Sequence, residues 1–200
     1  MLECLSHTIS TSDADIDVVS KSTDWADFLA QDGLELDVAL LDVDLCDDIP
    51  LTYKLNMLKA NGVRTVLMSA ASKPAVIRAA LNGGALSYIT RNEGPDVVIA
   101  ALLAAGNGES LITTSTQALL DAQPVSKMPK LSSQELLCLA FVASGAPMKR
   151  VATMLGTTES TAKSYLKNLR AKYLANGIDI GCKTSLRARA IYDGILNGTW

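Results

Sequence analysis

Histidine and the large aromatic rings are scarce in this chain. There is a single histidine, His7, and only two Phe and two Trp among 200 residues. A lone histidine far from any clustered pair of ligands argues against Ser-His-Asp or Cys-His catalysis and against a histidine-bearing zinc site. The four cysteines, Cys4, Cys46, Cys138 and Cys182, are scattered with no Cys-x-x-Cys spacing, so reduced thiols are expected rather than a metal site. No glycine-rich phosphate loop occurs, and an enzyme is not expected. No apolar run approaches the roughly 20 residues needed to cross a bilayer. The N-terminus has no basic region followed by an apolar block, so no secretory signal, no membrane partner and a cytoplasmic location are expected.

Apolar residues, in contrast, make up 48% of the chain, enough for packed cores in two domains. The net charge of −3 at first argues against a nucleic-acid partner, but its distribution reverses that. Residues 1–128 carry 8 basic and 17 acidic side chains, net −9; residues 129–200 carry 10 basic and 4 acidic, net +6. Two domains with different partners produce such an asymmetry, and only the second suits a polyanion.

The first half alternates short apolar runs with helical patterns. Leu2 to Ile9 reads as the last turns of a helix, Ile16–Ser20 as a short strand and Asp24 to Gln31 as a helix. Asp37-Val-Ala-Leu-Leu-Asp42 is a near-continuous apolar run, the mark of a strand covered on both faces and hence of a parallel sheet. A helix near Leu51 to Asn61, a strand Thr65–Ser69, a helix Pro74 to Asn82, a strand Leu86–Thr90 and a helix Asp96 to Ala105 follow. This order predicts an open βα sheet with functional groups gathered at the carboxyl ends of the strands, at Asp42, Ser69 and Arg91. From 107 to 130 the composition turns to Gly, Ser, Thr, Gln, Pro and Lys, with a short helix over Thr114 to Ala122. The division expected is therefore 1–108, a linker over 109–130, and 131–200.

The second half reads as helices meeting at a tight corner. Ser132 to Glu135 is a capping box that opens a helix ending near Gly145. A second helix over about Met148 to Leu155 follows Pro147, and Gly156 is the natural left-handed stop. Thr158 then caps a third helix with Glu159 at its positive end. Ala162, Leu166, Leu169 and Tyr173 form one apolar stripe on it, while Lys163, Lys167 and Arg170 repeat the spacing one residue later, with Ser164 beside them. A helix anchored on one side and cationic on the other fits the DNA major groove. Lys149, Arg150 and Lys172 add charge nearby. Leu186, Ala190, Ile191 and Ile195 on a last helix read equally as dimer contacts and as closure of a small core.

Leu131-Ser-Ser-Gln-Glu135, Ala143-Ser-Gly145, Val151-Ala, Leu155-Gly156 and Thr158-Glu-Ser-Thr-Ala-Lys163 together resemble the LuxR-type helix-turn-helix of NarL/FixJ-class response regulators. The likeness runs over about seventy residues, to Trp200. It implies an all-α domain of four helices that binds double-stranded DNA as a homodimer. It also implies that Lys163, Ser164 and Lys167 reach base edges and that Thr161 and Arg170 hold phosphates. Pro147 departs from the pattern by replacing a polar cap, and the connection from Ala175 to Cys182 is longer than usual.

Leu40-Leu-Asp42-Val-Asp44-Leu, Met68-Ser69-Ala70 and Ser87-Tyr-Ile-Thr-Arg91 resemble the receiver domain of the same regulators. The resemblance puts Asp42 at the phosphoacceptor position, Ser69 at the hydroxyl switch and Arg91 in place of the family's lysine; a sensor kinase or another regulator is the implied partner. The family's Mg²⁺ is held partly by an acidic pair ending a first strand, and no such strand precedes Leu2. Asp13 and Asp15 come too late to replace it. A degenerate receiver outside ordinary Mg²⁺-dependent phosphorylation is therefore expected. For the missing central strand three arrangements are open: Ile16–Ser20 pairs directly with Asp37–Asp42, another chain fills the gap, or the true start lies upstream and the receiver is conventional. The competing reading is a protein-interaction module whose first domain binds a partner regulator.

Overall fold

In the computed structural model the described residues are 2–31, 35–45, 47, 49–70, 73–122 and 128–196. Three parallel strands, β1 (Val38–Asp42), β2 (Arg64–Ser69) and β3 (Ser87–Thr90), form a sheet in the order β1-β2-β3. Leu40 stands opposite Val66, and Val66 opposite Ser87. Because side chains alternate along a strand, Val66 and Leu67 enter opposite layers, each with no exposed surface. Leu67 packs with Trp25, Leu55, Leu58, Ile77 and Tyr88, from α2 (Trp25–Leu29), α3 (Leu51–Ala60), α4 (Pro74–Asn82) and β3. Val66 packs with Ile9, Ile89, Val98 and Ala101, under α1 (Leu2–Ser10) and α5 (Pro95–Gly106). Cover on both faces is the reason Val38–Leu41 and Val66–Met68 are continuous apolar runs.

One expectation is corrected in this half, and the short helix expected over Thr114 to Ala122 is present. Ile16–Ser20 is not a strand. Its residues do alternate, with Ile16, Val18 and Ser20 half-buried and Asp17 and Val19 exposed, but among the described residues no backbone hydrogen bond joins 17–22 to another segment. Direct pairing with β1 is thereby excluded. The segment expected as a linker is in large part a docked element. Leu111 bridges to Ser87, and α6 (Thr114–Asp121) lies against α4 and β3. The fully buried Thr116 donates to the Tyr88 carbonyl at 3.0 Å, and Ser115 donates to Glu93 at 2.6 Å. Residues 123–127 lie outside the described residues.

The second half is all helical: α7 (Ser133–Ala143), α8 (Met148–Met154), α9 (Glu159–Ala175) and α10 (Lys183–Tyr192). The capping box at Ser132 and Glu135 is present in full, and Gly156 takes φ +61°, the left-handed value that lets the chain turn from α8 into α9. Pro147 caps α8 without a side-chain hydrogen bond. Leu139, Phe141, Val151, Ala162, Leu169, Tyr173, Leu186 and Ala190 share one core. Leu186, Ala190 and Ile195 are thus core residues, buried within the domain, and are not available as dimer contacts; Ile191 is half-buried.

A buried polar network closes this core. The Tyr173 hydroxyl donates to Asp193 Oδ2 at 2.8 Å, and the Arg189 guanidinium grips both Asp193 oxygens at 2.7 Å. Burial and the Asp193 carboxylate push the Tyr173 phenol far up, so it stays a donor. The two halves touch where α3 meets α7, with the Tyr53 ring edge-on to Phe141 at 5.4 Å. Just after α10, Gly194 (φ +74°) packs so closely on Ala75 that an added Cβ would lie 2.2 Å from its carbonyl oxygen.

Replacing Tyr173 by Phe removes one donor from a carboxylate that stays buried. The variant is expected to lose about 1–2 kcal/mol of stability in denaturant unfolding, with the fold retained by circular dichroism.

Candidate nucleic-acid interface

Helix α9 is placed by its apolar stripe. Ala162, Leu169 and Tyr173 are fully buried against α7 and α8, and Leu166 is half-buried. Thr158 caps the helix by accepting from the Thr161 amide at 3.2 Å, and Glu159 lies in its first turn. The 17-residue helix is about 25 Å long, enough to lie along a major groove.

Fixing one side of α9 determines what the other side presents. Lys163, Ser164 and Lys167 are exposed, and no hydrogen bond or ion pair engages either ammonium among the described residues. The Ser164 hydroxyl donates back to the Ser160 carbonyl at 3.1 Å, leaving its lone pairs outward. Thr161 is half-buried, its hydroxyl 2.9 Å from that of Thr158. Lys149 and Arg150, in the first turn of α8, are exposed. The contacts between the two halves run through α7 and the end of α10, so the outer face of α9 stays open.

Two of the expected cations sit differently. Lys172 is engaged within the protein, donating to Glu135 at 2.6 Å and to the Lys130 carbonyl at 3.3 Å. It ties α9 to the start of α7 and is not a free phosphate contact. Arg170 is half-buried, and its Nε is a buried donor without a partner. Burial works to raise the Glu135 carboxyl, but the Lys172 ammonium and the Ser132 donors outweigh it and hold that carboxyl below the ordinary range.

The carboxyl ends of the strands bring a second set together. Arg91 forms an ion pair with Asp42 Oδ2, while Asp42 Oδ1 accepts the Asp44 amide at 2.9 Å. Asp44 Oδ2 in turn accepts from Ser69 Oγ at 3.1 Å and from the Ala70 amide at 3.4 Å. Tyr88, buried beneath them, was not singled out from sequence. Burial pushes its phenol up against an opposing hydrogen bond with Ser69, and the Asp44 and Asp42 charges add to the rise. Asp42, Ser69 and Arg91 are thus gathered as expected, with Asp44 and Tyr88 added.

A divalent cation here would need several free carboxylate oxygens converging on one point. Asp42 is held by a guanidinium, Asp44 by a hydroxyl and an amide, and among the described residues no three His, Cys, Asp or Glu side chains converge to hold a metal. These residues do not fit Mg²⁺.

A parallel α/β domain carrying an acid, a hydroxyl and a base at its strand ends, followed by a helix-turn-helix, defines the response-regulator class. The chain belongs to that family, in the branch that includes NarL, UhpA and RamR. It is 33% identical to the response regulator RamR of Streptomyces coelicolor over 162 residues, 78% of this chain and 75% of RamR. It is 25% identical to the transcriptional regulatory protein UhpA of Escherichia coli over 163 residues, 81% and 77% of the two chains. Among solved structures, RcsB of Salmonella enterica serovar Typhimurium, bound to the promoter rprA, has the same fold at a TM-score of 0.61 and 18% identity, covering 94% of this chain and 91% of that one. No family model matches the chain.

Because Glu135 has a lower pKa folded than unfolded, its contribution is complete above the ordinary 4.5 and is lost as pH falls through the folded value. Glu135→Gln is expected to destabilise the protein by about 1–2 kcal/mol at neutral pH through the cap and the Lys172 pair. In denaturant unfolding the gap between variant and wild type should close below pH 4.5 and stay constant above pH 6.

Proposed function

We propose that the protein is a DNA-binding transcription regulator that inserts the outer face of α9 into the major groove, with Lys163, Ser164 and Lys167 at base edges. The observation that carries this reading is the exposure of that face while the opposite stripe is locked in the core. Lys149 and Arg150 at the start of α8, with Thr161, lie where backbone phosphates are held. Arg170 contributes through whatever part of its guanidinium reaches solvent, and Lys172 acts from within the scaffold. One helix-turn-helix reads only a short half-site, so a homodimer on a two-fold repeat is the working form. With Leu186, Ala190 and Ile195 in the core, Leu174 and Tyr192, 63% and 64% exposed, are the large apolar side chains that this half exposes among the described residues, and they are the surface offered to a second copy.

The receiver-like domain acts outside ordinary Mg²⁺-dependent phosphorylation. Aspartyl phosphorylation needs a free carboxylate oxygen and a cation to spread the incoming charge. Here Arg91 supplies a fixed positive charge directly to Asp42, and among the described residues the carboxylates do not assemble a cation site. The ion pair mimics the neutralised state that a metal would otherwise create.

Two experiments test these statements. The double variant Lys163→Ala, Lys167→Ala, folded by circular dichroism, is expected to bind wild-type-selected genomic fragments at least about tenfold more weakly in mobility shift; undiminished binding contradicts the interface. Incubation of the full chain with a small phosphodonor and Mg²⁺ is expected to leave its intact mass unchanged. A stoichiometric gain of one phosphoryl group contradicts the reading of the receiver.

A further inference from the structure

The buried stripe of α9 defines the direction in which its outer face looks. At about 100° of rotation per residue, Ala162, Leu169 and Tyr173 lie within about 40° of one another, and the direction opposite their centre is the outward axis of the helix. Ser164 falls about 20° from that axis and Lys167 about 40°, on opposite sides of it. Lys163 lies about 80° away, on the side of Lys167. Asn168 lies about 60° away, on the side of Ser164, and so is turned toward the outward axis more closely than Lys163 is.

Among the described residues nothing in the fold calls for an asparagine at this position. Asn168 is exposed in the interior of a 17-residue helix, where asparagine is a poor helix former because its side chain competes for backbone groups. Asn56 and Asn61 offset that cost by donating to carbonyls four residues earlier, those of Thr52 and Met57, at 2.9 and 2.8 Å. The Asn168 carboxamide makes no hydrogen bond among the described residues, so its carbonyl oxygen and its amino group are both open to a ligand.

We infer, on the reading that α9 lies in the major groove, that Asn168 reads adenine. Its Nδ2 donates to adenine N7, and its Oδ1 accepts from the adenine N6 amino group. In that groove adenine alone sets a donor beside an acceptor, at N6 and N7, whereas guanine offers acceptors at O6 and N7. A carboxamide carries the complementary pair on one rigid plane. Lys163 and Lys167 carry donors only and suit guanine. The Ser164 hydroxyl spends its single proton on the Ser160 carbonyl. Of these side chains only Asn168 can pair with both adenine atoms, and it fixes a base of the half-site that the lysines do not.

The test selects duplexes from a pool randomised over about 20 base pairs, room for two half-sites one helical turn apart. It uses the full chain as wild type, Asn168→Ala, Asn168→Asp and the double variant Lys163→Ala, Lys167→Ala, each checked for folding by circular dichroism. Wild type is expected to enrich an adenine in each half-site and to bind about tenfold more weakly when another base replaces it. Asn168→Ala is expected to lose that preference alone and to keep those at the remaining positions. Asn168→Asp exchanges the amide donor for an acceptor, and is expected to move the preference there toward cytosine, whose N4 donates. Two results overturn the assignment of Asn168: an alanine variant that keeps every base preference of wild type, or one that binds all sequences equally more weakly, which would place Asn168 on a phosphate. No enrichment by wild type, or undiminished binding by the double lysine variant, would instead overturn the placement of α9 in the groove.

Discussion

Ala162, Leu169 and Tyr173, none with exposed surface, hold α9 in one rotational setting against α7 and α8. A helix turned by a single residue rotates about 100°, which would carry Lys163 toward the core and leave Tyr173 in water. Burial of that stripe is therefore also what aims the cations. The Tyr173–Asp193–Arg189 network adds direction to the packing, because it ties the last turns of α9 to the end of α10 through bonds that tolerate little displacement. Glu135 and Lys172 make the corresponding tie to α7. Helix α9 is thus braced at its start by Thr158, along its length by apolar contacts, and near its end by two charged links.

The first domain carries the opposite kind of site. Its strand ends gather an acid, a hydroxyl and a base, but the groups satisfy one another: Arg91 on Asp42, Ser69 on Asp44, with Tyr88 beneath. In this arrangement each acid already has a partner within the cluster. Among the described residues the buried side-chain polar atoms of that domain without a partner, Trp25 Nε1, Asp47 Oδ2 and Thr52 Oγ1, lie outside this cluster. α6 packed on α4 and β3, and Gly194 seated on Ala75, join that domain closely to the segments that follow it.

Much of the helical half was legible in sequence, because its signals are local. The Ser132–Glu135 box, Gly156 and Thr158 each act within four residues, and the structure places each in the role its chemistry predicts. The apolar stripe on α9 was equally readable, since helical periodicity maps directly onto burial. Lys172 was not, because its partner Glu135 is 37 residues away and only the fold brings them together. Leu186 and Ala190 read equally well as dimer contact or core, a choice that periodicity cannot make. Ile16–Ser20 shows the converse limit. Its alternation describes the segment's own two sides correctly, yet a strand exists only when a second backbone pairs with it, and that partner is not written in the segment. The Thr114–Asp121 segment read as linker for its polar composition, while Thr116 and the two leucines that dock it are a minority of its residues.

The most direct measurement of the central claim is the salt dependence of affinity for duplex DNA. Lys149, Arg150, Lys163 and Lys167 are the exposed cations on the proposed face, and neutralising one phosphate each would release about one counterion apiece. The account predicts that log affinity falls with log salt with a slope of about −4 per protomer. A slope near zero would mean that the cationic side of α9 never meets the phosphate backbone, and would contradict the assignment.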